Sequence, residues 1–117
     1  MFIIYMKEIF NKSKNHWGNS LWEFIHNITI IDSNNSQYII ESHKHIIPIL
    51  YNITTIFPCS LCLNTYKDHL KLIEKLDLTK PMSLFYWSVD LHNAVNKKLD
   101  KNIYSYEDAR LIWCKLY

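Results

Sequence analysis

Apolar residues recur at intervals of three and four along most of the chain, which is the pattern of helices that bury one face. The first run covers about residues 19–31 and the second covers 38–56, with a polar turn at 32–36 that offers N-cap oxygens. Pro48 lies inside the second run and predicts a kink there, because proline lacks the backbone N–H and crowds the preceding turn. Both runs are therefore predicted to be helices.

The second half of the chain continues the same pattern. A third run covers 61–76 and a fourth covers 84–99, with Thr79 as the predicted N-cap and Pro81 in the first turn. Ser105 and Asp108 resemble a capping box and predict a short last helix that ends near residue 115. The predicted fold is all-α, a four-helix bundle with a short fifth helix, in which residues 1–15 form a lead-in arm and 16–117 form one domain.

Composition supports one helical domain and excludes several other classes. Of 117 residues, 49% are hydrophobic and 15% aromatic, which is enough for a buried core. One glycine and three prolines are too few for the many tight turns of an all-β protein. A net charge of +2 gives no argument for nucleic-acid binding, and no apolar run approaches the ~20 residues that a membrane span requires.

The three cysteines indicate chemistry more than structural disulfides. Cys59 and Cys62 form a CxxC pair directly after Pro58, at a predicted helix N-terminus, and Cys114 stands apart. The positive end of a helix dipole favours a thiolate, and CxxC spacing suits a disulfide that opens and closes during turnover. In this interpretation Cys59 is the exposed sulfur that reacts with substrate, and Cys62, one turn further in, faces the interior.

A zinc site is the alternative interpretation of the same pair. Cys59 and Cys62 could be two of four ligands, with His69 and either His43 or His45 completing the set. The protein would then be a zinc-stabilised helical interaction module. No second CxxC and no H-x₃-H pair completes such a site, so the redox interpretation is preferred and no metal is predicted.

Four short motifs follow one another along the chain. They are Trp17-Gly18 with Trp22 and His26, then Phe57-Pro58-Cys59-Ser60-Leu61-Cys62, then Trp87 ahead of His92-Asn93-Ala94-Val95-Asn96-Lys97-Lys98-Leu99, and last Trp113. This ordered set resembles the Erv/ALR family of FAD-dependent sulfhydryl oxidases, most of all the short versions encoded by large cytoplasmic DNA viruses. The resemblance spans about residues 17–113.

The resemblance implies a homodimer with FAD held inside each bundle. Protein dithiols would reduce the Cys59–Cys62 pair, and the electrons would pass through FAD to dioxygen, giving hydrogen peroxide. The chain lacks the family's second, shuttle cysteine pair, so substrates would react directly or through a thioredoxin-like relay protein. The implied location is the host cytoplasm or the virion for a viral protein, and otherwise the mitochondrial intermembrane space. The implied FAD contacts are Trp17, Gly18, Trp22, His26, Phe57, Cys62, His92, Asn93, Val95, Asn96, Lys98, Lys101 and Trp113.

Overall fold

The computed structural model describes residues 14–57 and 60–114, with side chains described from 19–57 and 62–114. Over these residues the chain forms helices and no strand, so the all-α prediction is confirmed. Turns of 3-10 helix follow the second and third helices, at Ile53–Thr55 and Ile73–Lys75. The helices are α1 (Lys14–Ile28), α2 (Ser36–Asn52), α3 (Ser60–Leu72), α4 (Ser83–Lys98) and α5 (Tyr106–Trp113).

Side-chain caps begin two of these helices where the sequence predicts them. Asn35, in the polar turn at 32–36, accepts a hydrogen bond from the backbone N–H of Tyr38 at 2.9 Å and caps α2. Ser105 accepts one from the N–H of Asp108 at 3.0 Å and caps α5. Each bond satisfies an N–H that has no partner inside its helix, so these residues fix where α2 and α5 begin.

The predicted start of α4 is wrong. The helix begins at Ser83 with Met82 as its N-cap residue, not at Thr79. Thr79 instead bonds to the carboxylate of Asp77, through its N–H at 3.1 Å and its hydroxyl at 2.5 Å. A short polar side chain that closes a local turn competes with helix capping, so residues 77–82 form turns before the helix starts.

Helix α4 is the central element, because it packs against α1, α3 and α5. Its apolar residues join two clusters of buried side chains. The smaller cluster lies between α4 and α5 and consists of Phe85, Val89 and Ala109. The larger one, called the main core here, consists of Leu21, Ile25, Leu50, Ile53, Tyr66, Leu70, Ile73, Leu84, Trp87, Leu91 and Val95.

Helix α2 is fastened to the rest of the fold by side-chain bonds to backbone carbonyls. The Tyr66 hydroxyl donates to the Leu50 carbonyl, and His43 Nδ1 donates to the Leu78 carbonyl at 2.8 Å. The helix continues through Pro48, which is exposed, as far as Asn52. Within the described ranges, no helix has the length and apolar character that crossing a bilayer would need.

Candidate functional site

Five aromatic side chains from α1, α4, α5 and the loop before α5 meet beside the smaller core cluster. Trp22 stacks on His92 with ring centres 4.0 Å apart and planes 10° apart. His26 contacts Trp113 at 4.0 Å, and His92 contacts Tyr104 at 5.3 Å. Trp22 and His26 are four residues apart on α1, a spacing that places both on one helix face. We call Trp22, His26, His92, Tyr104 and Trp113 the aromatic cluster.

The two histidines of the aromatic cluster are hydrogen-bonded to each other. His26 Nε2 lies 2.9 Å from His92 Nδ1. Burial, and then the neighbouring His92, lower the pKa of His26 to about 3. Burial, and then the charge of Lys101, lower the pKa of His92 to about 4. Both imidazoles are therefore neutral at pH 7, and each has one hydrogen and one lone pair on its ring nitrogens.

Two asparagines of α4 hold the loop that follows it. Asn93 bonds to both backbone groups of Tyr104, donating to the carbonyl at 2.7 Å and accepting from the N–H at 2.8 Å. The side-chain amide of Asn96 donates to the backbone carbonyl of Asn102 at 3.1 Å. The backbone carbonyl of Asn96 accepts from the backbone N–H of Lys101 at 2.8 Å. The structure thus gives Asn93 and Asn96, both expected to contact FAD, a role in fixing the loop that carries Lys101 and Tyr104.

The inner cysteine of the CxxC pair lies against the main core. Cys62 is in the first turn of α3, is half-buried, and packs against the main core. Trp22 and Phe57 pack against that core from other elements, and Val95 is part of it. The main core therefore joins Cys62 to three other predicted cofactor contacts, Trp22, Phe57 and Val95, in one packed cluster.

The remaining predicted site residues fall into two groups. Lys98 and Lys101 are described, and both are exposed, at and just beyond the end of α4. Cys59 lies outside the described residues, directly before α3. Trp17 and Gly18 lie within the bounds of α1, but their side chains are outside the described part. Their predicted roles stay predictions.

The site also contains residues that the sequence analysis missed. Ser88 Oγ is hydrogen-bonded to His26 Nδ1 at 2.8 Å, and Thr29 Oγ1 lies 3.4 Å from Ser88 Oγ. Ser88 stands four residues before His92 on α4, so helical spacing could have placed it on that face. No local signal identifies Tyr104, whose position depends on Asn93.

The aromatic cluster suits a cofactor that has flat rings and negative charge. Indole, phenol and imidazole rings offer stacking surfaces, the neutral imidazoles offer hydrogen bonds without charge, and Lys98 and Lys101 could face a phosphate. These are the contacts that the ring systems and pyrophosphate of FAD require. In the described part of the chain, no three His, Cys, Asp or Glu side chains come together as metal ligands.

Cys114 packs against the smaller core cluster, together with Tyr104 and Trp113. It is half-buried at the end of α5 and lines a groove of about 620 Å³ that also contains Ile31, Met82 and Leu111. Burial raises the pKa of the Cys114 thiol above its ordinary value, with Arg110 opposing the shift. A raised pKa reduces the fraction of Cys114 that is present as the reactive thiolate at neutral pH.

Comparisons with known proteins complete the description. The model of the Erv1 / Alr family matches residues 19–114. An FAD-linked sulfhydryl oxidase of African swine fever virus is 28% identical over 98 residues, which is 84% of this chain and 80% of that protein. A probable FAD-linked sulfhydryl oxidase of Acanthamoeba polyphaga mimivirus is 27% identical over 99 residues, 83% of this chain and 68% of that protein. No solved structure matches the chain.

Proposed function

Because the chain belongs to the Erv1/Alr family, we propose that it is an FAD-linked sulfhydryl oxidase that forms disulfides in protein dithiols. Its viral relatives are named for this activity and for this cofactor. The chain covers 80% and 68% of those two relatives, so the likeness extends over most of their length.

One observation supports this proposal most strongly. Trp22 of the aromatic cluster, which stacks on the neutral His92 imidazole, packs against the same main core as the half-buried Cys62 of α3. A flat cofactor that stacked on Trp22 would therefore lie against the core that Cys62 also contacts. A redox cofactor and the thiol that reduces it must lie close together, and the protein contributes by positioning them.

The chemistry begins at the CxxC pair. A substrate thiolate attacks Cys59 in the Cys59–Cys62 disulfide, which forms a mixed disulfide and releases Cys62 as a thiolate. The second substrate thiol attacks the mixed disulfide. The substrate departs with a disulfide, and Cys59 remains in the protein as a thiolate. The first turn of α3 places Cys62 near the helix N-terminus, where backbone N–H groups stabilise a thiolate. Bound FAD would supply the two-electron acceptor, which dioxygen reoxidises with formation of hydrogen peroxide.

The finer features of the family complete the proposal. The protein acts as a homodimer in the cytoplasm of an infected host cell or in the virion. Its substrates are protein dithiols, which reach Cys59 directly or through a thioredoxin-like relay protein. Trp17, Gly18, Phe57, Val95, Lys98 and Lys101 contribute to the cofactor site together with the aromatic cluster.

Replacement of Cys59 tests the proposed chemistry. Cys59→Ser should retain yellow, FAD-bound protein and lose turnover with dithiols, because the disulfide that accepts electrons cannot form. Cys114→Ser is the matched control, since it removes a thiol of raised pKa that is not part of the CxxC pair, and should keep turnover near the wild-type rate. Oxygen consumption and peroxide formation with dithiothreitol measure both.

Two outcomes would overturn the proposal. Wild-type turnover by Cys59→Ser would show that the CxxC pair does not carry the reaction. A colourless wild-type protein that releases zinc to a chelator would favour the zinc-stabilised module with Cys59 and Cys62 as ligands.

A further inference from the structure

A chain of hydrogen bonds runs from the interior of α4 into the aromatic cluster. His26 Nδ1 lies 2.8 Å from Ser88 Oγ, and His26 Nε2 lies 2.9 Å from His92 Nδ1. His26, Ser88 and Thr29 are fully buried, and His92 is 8% exposed. With water kept out, each hydrogen along the chain must lie on one of these bonds, because an unmet buried donor or acceptor is costly.

Ser88 decides which atoms donate and which accept along these hydrogen bonds. Its Oγ lies 2.5 Å from the carbonyl oxygen of Phe85, which can only accept, so the one hydroxyl hydrogen of Ser88 lies on that bond. The Thr29 hydroxyl is likewise directed to the carbonyls of Ile25 at 3.0 Å and His26 at 2.9 Å. Ser88 Oγ can therefore only accept from the His26 ring, and His26 carries its hydrogen on Nδ1.

The assignment at His26 determines the assignment at His92. A neutral His26 with hydrogen on Nδ1 has its lone pair on Nε2, so the atom facing it, His92 Nδ1, must donate. The lowered pKa values of both rings keep them neutral at pH 7. His92 therefore has its lone pair on Nε2, the nitrogen that does not take part in the bond to His26.

We propose that Ser88 is a positioning residue that sets the tautomers of His26 and His92, so that His92 Nε2 offers a lone pair and selects a hydrogen-bond donor in the ligand of the aromatic cluster. The tautomer assignment follows from the hydrogen-bond geometry of Ser88, His26 and His92. The identity of the ligand rests on the proposed function, in which the donor is an amino or hydroxyl group of FAD. A ligand group with only hydrogen-bond acceptors at the same place would face the lone pair of His92 Nε2 with a lone pair of its own. The two would repel, so such a ligand would bind more weakly.

Nuclear magnetic resonance of ¹⁵N-histidine-labelled, full-length protein at pH 7 tests the tautomers directly, because two-bond ¹H–¹⁵N correlations show which ring nitrogen carries the hydrogen. We expect the Nδ1–H form for both His26 and His92 in the wild type. Ser88→Ala removes the acceptor for His26, so both rings should change to the Nε2–H form. Ser88→Thr, which keeps a hydroxyl, should restore the wild-type pattern. Thr65→Val removes a buried hydroxyl on a different helix, α3, and should leave the tautomers of both histidines unchanged.

An Nε2–H form of either ring in the wild type would overturn the assignment, even if the Ser88 variants failed to fold. Unchanged tautomers in folded Ser88→Ala would show that Ser88 does not set them.

Titration with FAD tests the consequence for the ligand. Ser88→Ala should bind FAD about tenfold more weakly, the effect of losing one hydrogen bond. Unchanged FAD affinity with switched tautomers would contradict contact between His92 Nε2 and the cofactor. A folded wild type that binds no FAD would contradict the proposed function instead, and the tautomer result would still stand on its own.

Discussion

Acidification should destabilise this protein through the two buried histidines of the aromatic cluster. In the unfolded chain each histidine has the ordinary pKa of 6.5, whereas in the folded protein burial lowers the pKa of His26 to about 3 and that of His92 to about 4. Below pH 6.5 the unfolded state therefore binds protons that the folded state does not. Stability falls as the pH falls whenever the unfolded state binds more protons, so the contribution of the pair is present at pH 7 and is lost progressively toward pH 3.

The size of the effect follows from the same values. Each group changes the free energy of unfolding by about 1.4 kcal/mol per pH unit between its two pKa values, so each loses about 2 kcal/mol between pH 6.5 and pH 5. The two together should lower the free energy of unfolding by about 4 kcal/mol, a large part of the stability of a domain of this size.

Urea denaturation at pH 7, 6 and 5, with the same excess of FAD throughout, measures this loss. His92→Gln removes one titrating ring and should reduce the loss to about 2 kcal/mol. His45→Gln is the control, because His45 is exposed on α2, and should retain the full loss. A free energy of unfolding that stayed within about 1 kcal/mol from pH 7 to pH 5 would refute the reasoning.

Three further changes should have separable effects. Asn93→Ala removes two bonds to the loop after α4 and should lower the free energy of unfolding by about 2 kcal/mol, whereas Asn102→Ala, an exposed change in that loop, should have little effect in the same urea assay. Tyr66→Phe removes the buried bond to a carbonyl of α2 and should cost about 1 kcal/mol in that assay; no change would mean that the bond contributes nothing. Trp113→Leu removes a ring that packs on the buried imidazoles and should weaken FAD binding at least about tenfold by fluorescence titration, unlike Leu111→Ala, whose side chain is 71% exposed on the same helix.

The helices of this fold could be predicted from the sequence because their signals are local. Apolar spacing identified the runs that became α1 to α4, and the capping-box pattern at Ser105 identified α5. Asn35, in the polar turn before the second run, caps α2. The start of α4 was predicted wrongly because two local uses of Thr79 compete. Its hydroxyl could cap a helix or bind Asp77, and only the folded turn decides between them.

The site could be predicted only as a set of residues, not as an arrangement. Helical spacing placed Trp22 beside His26, but the bond between His26 and His92 joins residues 66 positions apart and requires α1 to pack on α4. Asn93 was expected at the cofactor, and the structure shows its amide holding the backbone of Tyr104. Such contacts depend on tertiary packing, which residue spacing within one helix does not contain.

The most direct measurement is the visible flavin spectrum of the purified protein, recorded without oxygen before and after addition of a dithiol. We expect an FAD spectrum that bleaches on addition of the dithiol and returns when air is admitted, with one hydrogen peroxide formed for each dithiol oxidised. Folded protein that shows no flavin band when FAD is supplied, or a bound flavin that dithiols do not reduce, would contradict the account.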